Sequence, residues 1–501
     1  MASDQRLHPV SIVFSLASHA RELLFPGLAA VLFAFRSGEW GWQAVAMILF
    51  VPYALVSIAR WLSFRYRLDD DELVINTGLV FRSVRHIPYG RIHNIDAVQN
   101  VFHRMFGVAV VRIETGGGTE AEASIQVLGS LAIQEMRRHV LARRAALVGH
   151  SDSTPPPDDV VLKLSAHDLM LSGFIQNRGV LLVSALFGVL WELGLLETIT
   201  DRVVGASVPG RGVARRFLLA LVGRGEMPVM GLLAAAGGFV LVLLGLRVLS
   251  MIWALVSLHG YTLVQQQDDL RAEFGLLTRV SATTPLGRIQ AVTVHEGPLH
   301  RMFRRASVHV QTAGDAAGSD DETPQRQTLA PIIRVAELPA LLARVQPEAG
   351  LSAVVWQAPH ARAFRRALVE SAVTSVLLSS WLAAMLRWWW LALLPVLLGW
   401  AFVHARLYVK HLRWGTTDGA VVLQSGWMWR RMTIVRFARI QVVSIAESPF
   451  DRRHGMAGVL VDTLGASATP GPMDIPYLGR DTAMRLCDYL AGRAAGTAFR
   501  P

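Results

Sequence analysis

One segment occurs three times in this chain without a gap. It reads GRIHNIDAVQNVFHRMFG at 90–107, GRIQAVTVHEGPLHRMFR at 287–304 and ARIQVVSIAESPFDRRHG at 438–455. The likeness extends outward at fixed spacing. Gly78, Gly275 and Gly426 precede it, each followed four residues later by Arg82, Arg279 or Arg430. Arg91, Arg288 and Arg439 stand at its start, Arg104, Arg301 and Arg452 inside it, and Thr115, Thr312 and Thr463 beyond it. The shared pattern is G-x3-R-x8-R-I-x11-R-x10-T. Internal repetition of this length requires three copies of one supersecondary unit.

The local periodicity of that unit is β. Ile95 and Ala97, Val292 and Val294, and Val443 and Ile445 alternate after the Arg-Ile pair, as do the valines and isoleucines before each threonine. Period two leaves one face buried and one wet. The glycine marks a hairpin turn after strands such as DELVINTG and AVVLQSG. Each unit closes on a helical stretch, SLAIQEMRRHVLARR, VAELPALLARV or RDTAMRLCDYLAGR, with apolar residues three and four apart. Antiparallel strands closed by one terminal helix form a pleckstrin-homology-like sandwich or barrel.

Between the units the chain turns apolar. Of its 501 residues 52% are hydrophobic, and mean hydropathy is +0.37, which suits membrane helices joined to soluble domains. A span needs about 20 apolar residues. Six candidates fall in three pairs, at 23–35 and 42–61, 180–196 and 229–258, and 368–386 and 388–403. The predicted order is a transmembrane hairpin at 1–61, a PH-like domain at 62–147, a linker at 148–177, a second hairpin at 178–258, a second domain at 259–346, a linker at 347–366, a third hairpin at 367–405 and a third domain at 406–494. The N-terminal apolar stretch carries Asp4 ahead of it and is read as retained rather than cleaved. Arginines flank the domain side of each pair, so the positive-inside rule places all three domains in the cytoplasm of a multi-pass protein. The basic loop 197–228 is the exception, and GVARRFLLALVGR within it alternates like an interfacial helix.

The net charge of +11 comes almost wholly from arginine and favours anionic lipid; no long basic run suggests nucleic acid. The single Cys487 excludes an intramolecular disulfide. No hydrolase, P-loop or zinc-protease motif is present, so neither catalysis nor a metal or cofactor is expected.

The strand, the turn glycine, IPYGRI, QNVFHRMFG and VRIETGGG together resemble the bacterial PH-like domain of membrane proteins of the YdbS/YdbT type. The resemblance implies a bacterial cell-membrane protein and supplies no chemical activity. Binding or scaffolding at the inner leaflet, through anionic lipid or a membrane-protein partner and with a role in envelope maintenance, is the leading reading. Transport or lipid handling through the six helices is the alternative.

The hairpin tips GLVFR, GLLTR and GWMWRR set apolar residues beside arginine. Phe81 and Arg82, Leu276 and Arg279, and Trp427, Trp429, Arg430 and Arg431 are the candidates for contact with lipid headgroups. The third unit is favoured, since 406–493 holds 12 Lys/Arg against 7 Asp/Glu. The competing reading packs these tips on a neighbouring unit or membrane helix. Gly78, Arg91, Arg104, Gly275, Arg288, Arg301, Gly426, Arg439 and Arg452 are read as framework. Glu192 and Arg247 reach similar depths in the second pair and form a candidate intramembrane ion pair. Oligomeric state and contact between units are left open.

Overall fold

The computed structural model describes residues 5–6, 62–69, 71–78, 82–115, 123–129, 159–176, 229–266, 268–312, 328–385, 388–463 and 473–496, with position 11 and several between 132 and 140. In chain order the first repeat gives β1 (Gln5–Arg6), β2 (Arg65–Leu68), β3 (Glu72–Thr77), β4 (Ser83–Pro88), β5 (Ile92–Gln99), α1 (Val101–Met105), β6 (Val108–Thr115) and β7 (Ala123–Gly129). The second gives β8 (Asp159–Lys163), α2 (Ala166–Gln176), α3 (Val229–Ser257), β9 (Thr262–Gln266), β10 (Asp269–Phe274), β11 (Arg279–Pro285), β12 (Ile289–Glu296), α4 (Pro298–Met302), β13 (Arg305–Thr312), β14 (Thr328–Arg334) and α5 (Leu338–Val345). The third gives β15 (Val355–Gln357), α6 (Ala363–Met385), α7 (Leu394–His411), β16 (Arg413–Thr416), β17 (Ala420–Ser425), β18 (Arg430–Arg436), β19 (Ile440–Ala446), α8 (Pro449–His454), β20 (Met456–Thr463), β21 (Met473–Gly479) and α9 (Arg480–Gly496).

Local chemistry accounts for the repeated elements. Gly78, Gly275 and Gly426 all adopt positive φ, at 93°, 109° and 82°. A Cβ on Gly275 would lie 1.9 Å from the Thr278 carbonyl oxygen, and one on Gly426 2.0 Å from that of Trp429. Only glycine fits such a turn. A register shift follows the Arg-Ile pair in β5, β12 and β19 alike, between Ile92 and Asn94, Ile289 and Ala291, and Ile440 and Val442. It is the same bulge three times, a built-in bend. In α5 the buried residues Leu338, Leu341, Leu342 and Val345 fall three and four apart, so one face of the helix covers the sheet.

The strands pair antiparallel into sheets that ignore the repeat boundaries. The orders are β1-β2-β3-β4, β7-β6-β5-β11-β10-β9-β8, β14-β13-β12-β18-β17-β16-β15 and β19-β20-β21. The back strand of one repeat therefore continues into the front strands of the next. Two compact units result, one of residues 1–163 and 261–287, the other of 164–260 and 288–500. In the first, Leu73, Tyr89, Ile113, Leu128 and Met136 form the centre of a fully buried core, and the Tyr89 hydroxyl donates to the Asp69 carbonyl at 2.7 Å. In the second, Val421, Val435, Val459, Ile475 and Leu490 do the same, joined by Ala291 from the preceding repeat.

Two differences from the sequence reading concern the segments read as linkers. Residues 148–177 contain β8 and α2, and 347–366 contain β15. Strands of three to five residues are too short to show a period. Each nonetheless adds to the sheet formed after the following apolar segment: β1 pairs with β2, β8 with β9 and β15 with β16.

Three described helices are long and apolar enough to cross a membrane: Val240–Ser257, Ala363–Met385 and Leu391–His411. Their large side chains, such as Leu241, Leu377 and Val396, stand exposed, as a lipid-facing surface requires. The last two pack on each other through small residues, and Ser375 Oγ donates to the Leu397 carbonyl at 3.4 Å. The spans expected at 23–35, 42–61 and 180–196 lie outside the described residues.

Candidate anion-binding site

The hairpin tips divide between two roles. Trp427 is half-buried against α7, its ring 6.0 Å from that of Trp400 and 6.4 Å from that of His404. Trp429 is exposed, yet its indole edge faces Gly297 of the preceding repeat, where a Cβ would come within 3.3 Å. Leu276 is exposed. Arg279 pairs with Glu273 at 3.0 Å, and Arg271 pairs with the same carboxylate at 2.6 Å. Arg82 is exposed and lines a cleft with Arg65 and Asn76. Phe81 lies outside the described residues. Arg430 and Arg431 sit on β18 opposite Glu296 and His295 of β12.

The repeated arginines inside the segment join successive repeats. Arg104 donates to the Leu276 carbonyl at 2.9 Å, and Arg301 donates to the Met428 carbonyl at 3.0 Å. Each reaches the turn of the next repeat's hairpin. Arg452 occupies the same position in α8 and is exposed. Burial lowers the pKa of Arg439 while Glu348 raises it. Its neighbour Arg436 donates to the Ile289 carbonyl at 3.0 Å. Arg288 is half-buried, and the Arg91 side chain is outside the described set. Arg247 donates to the Phe174 carbonyl and lies 5.2 Å from the centre of the Phe174 ring. Its expected partner Glu192 is not among the described residues.

A further concentration of cations joins Arg301, read from the sequence as framework, to Arg304, Arg305 and Arg334, which the sequence did not single out. Arg301, Arg304, Arg305 and Arg334 line one cleft in the second unit with Phe303, Val335 and Glu296. Arg305 is committed to Asp168 at 2.8 Å. Ser165 caps α2, its hydroxyl accepting from the Asp168 N–H at 3.2 Å and donating to the Asp168 carboxylate at 2.7 Å. Burial works against that carboxylate, but the Ser165 hydrogen bonds and the charges of Arg305 and Arg334 prevail and lower the pKa. Arg334 has Glu337 at 3.7 Å, and both are well exposed. The Arg301 Nε is buried without a hydrogen-bond partner.

Arg304 is the distinctive member. Its φ is 52°, in the left-handed region. The equivalent residues are Gly107 and Gly455, at φ 63° and 68°. A non-glycine residue held there costs on the order of 1 kcal/mol. The second repeat thus keeps an exposed arginine where its sisters use the residue the backbone prefers. In the sequence the difference is RMFR against RMFG and RRHG, which the sequence reading did not use. Nearby, His295 on β12 has its pKa pushed down to about 4 by burial and by the adjoining Arg431, His309 and His300, so it adds no charge near neutral pH. No group of three metal-ligating side chains occurs among the described residues.

Comparison with known proteins places this geometry. The chain matches the family model described as Bacterial PH domain three times, at residues 22–144, 216–349 and 363–494. It is 23% identical over 475 residues to the UPF0699 transmembrane protein YdbT of Bacillus subtilis strain 168, covering 90% of this chain and 91% of that one. No solved structure matches. With the repeated hairpin and bulge found in the same three stretches, the chain belongs to the bacterial PH domain family.

Proposed function

We propose that this protein is a multi-pass membrane scaffold whose PH-like domains lie at the inner leaflet, and that the arginine cleft of the second repeat holds an anionic phospholipid headgroup. The observation that carries the lipid reading is Arg304, an exposed cation retained at a backbone position that disfavours it. Guanidinium forks match phosphate oxygens, and Arg304 and Arg334 are the two cleft arginines least committed to the protein.

The three pre-helix strands support the hairpin topology. In each repeat the strand before the apolar segment is hydrogen-bonded to the strand after it. A chain that leaves a sheet and returns to its neighbouring strand must cross a bilayer an even number of times. Paired spans in all three places, with every domain on one side, satisfy that condition, and the Bacillus relative is described as a transmembrane protein. Flanking arginines favour the cytoplasmic side. Arg247 weighs against a transport path, because its guanidinium is engaged by Phe174.

The test is retention of phospholipid by the purified full-length protein, read by native mass spectrometry after exchange into mixed phosphatidylglycerol and phosphatidylethanolamine. The wild type is expected to hold the anionic lipid. Arg304→Gly with Arg334→Ala is expected to lose it at least tenfold while unfolding no more easily. Equal retention by the variant would overturn the cleft as the site.

A further inference from the structure

The same edge-to-edge joint is made twice inside this chain, and among the described residues one further copy of each half stands at the edge of a sheet. In the first joint β5 pairs with β11, placing Gln99 opposite Arg279, Val98 opposite Val280 and Ala97 opposite Ser281. In the second β12 pairs with β18, placing Glu296 opposite Arg430, His295 opposite Arg431 and Val294 opposite Met432. On the repeat alignment these are the same pairs in the same register. The Arg104 and Arg301 clasps close over each joint.

The third copy of the back strand is β19, and among the described residues the sheet order ends on it. It carries the same bulge and the sequence IQVVSIA, yet Val442 is 55% exposed and Ile445 39%. The first copy of the front strand is β4, which among the described residues ends the first sheet, with Val84 54% exposed. Proteins guard open edges with lysine, proline, charge or a covering element. β19 has neither charge nor proline. Arg452 stands exposed beside it, where its counterparts hold the next hairpin.

We propose that β19 of one molecule pairs with β4 of a second copy of this chain, antiparallel and in the internal register. Glu447 then lies opposite Arg82, as Glu296 lies opposite Arg430, and Ile445 lies opposite Val84. Glu447 already contacts Arg480 at 3.1 Å, so it enters the joint as a shared carboxylate. Arg452 closes on the second copy's hairpin turn at Gly78. The occupant is a second copy because the chain already encodes this joint twice with its own strands, and each open edge is the missing half of the other. The contact is head-to-tail, so it propagates into rings or rows within the membrane plane. The inference stands apart from the lipid reading and uses none of the cleft residues.

Full-length protein in nanodiscs or detergent, with Cys487→Ser as background, provides the test. Val84→Cys and Ile445→Cys are made in separate molecules and together. Oxidation is expected to give a disulfide-linked dimer only when the two single variants are mixed, and a ladder from the double variant. Ile445→Lys is expected to reduce the wild-type assembly to monomer by mass photometry, with unfolding unchanged. Linkage of Val84→Cys to itself, linkage only to a different host protein, or a wild type monomeric at every concentration would each overturn the proposal.

Discussion

β12 and β19 are the same strand of the same repeat, with the same bulge and nearly the same alternation, and they meet opposite fates. In β12, Ala291 and Val292 are fully buried and Val294 is 2% exposed. In β19 the equivalent Val442 and Ile445 are exposed. The difference is not in the strands. β18 lies along the outer edge of β12, whereas no described strand lies along the outer edge of β19. Burial here follows whether another described strand lies along the outer edge, and β19 exposes a surface that β12 does not.

The sharpest way to break this comparison is to place a charge at both positions. Val294→Lys buries an ammonium with no described carboxylate opposite it on the neighbouring strands. It is expected to cost about 4 kcal/mol or more, enough to abolish folded protein. Ile445→Lys at the equivalent site is expected to change the unfolding midpoint by less than about 0.5 kcal/mol. Denaturant unfolding of both variants in detergent measures the gap. Similar losses at the two sites would mean that β19 is covered in the folded monomer.

Neighbouring His295 gives a second contrast, since its counterpart is Ala446. The folded state depresses the pKa of His295 to about 4. The unfolded chain takes up a proton near pH 6.5 and the folded one resists it. Stability is therefore full above about pH 6.5 and is lost as pH falls from there toward 4. After solvent screening of this half-buried group the loss is ~1–2 kcal/mol. His295→Ala is expected to flatten that part of the pH-stability curve, read from thermal midpoints between pH 7.5 and 4.5. An unchanged slope would place the protonation elsewhere.

Much of the architecture was legible because its signals are local. The glycine of each hairpin is required by the approach of a carbonyl oxygen, the alternation by one buried face, and the closing helix by its apolar stripe. The joints between repeats were not legible. They are made by backbone hydrogen bonds, and AVTV and VVSI carry the same pattern whether or not a strand lies beside them. β8 and β15 were missed because a strand of three to five residues has no period to read. Of the candidate cleft, the sequence marked only Arg301, and as framework; the tip residues it put forward lie outside that cleft. Trp427 reads as an interfacial aromatic and rests against a membrane helix. The cleft at Arg304 depends on residues from α4, β13 and β14 meeting, which spacing alone does not reveal.

The clasps extend the comparison to side chains. Arg301 donates to a carbonyl from a half-buried position, so Arg301→Ala is expected to cost about 1.5 kcal/mol. Arg452→Ala removes an exposed side chain and is expected to cost nearly nothing in dilute monomer. Unfolding midpoints of the pair, measured at low protein concentration, separate a joined repeat from a terminal one.

The smallest expected effect isolates the backbone. At Gly455 nothing lies within 4 Å of an added Cβ, so the first atom of a side chain there meets no steric opposition. Its φ of 68° is the whole obstacle. Gly455→Arg is thus expected to destabilise by about 1 kcal/mol through conformation alone. Arg304→Gly reverses the change in the second repeat. Relief of the left-handed strain is partly offset by the greater entropy of an unfolded glycine, leaving a gain of roughly 0.5 kcal/mol. A gain in stability coupled to loss of bound anionic lipid is the signature of a residue kept for its ligand. A loss of stability in Arg304→Gly would instead make the arginine part of the scaffold, and the contrast with Gly107 and Gly455 would then be one of packing.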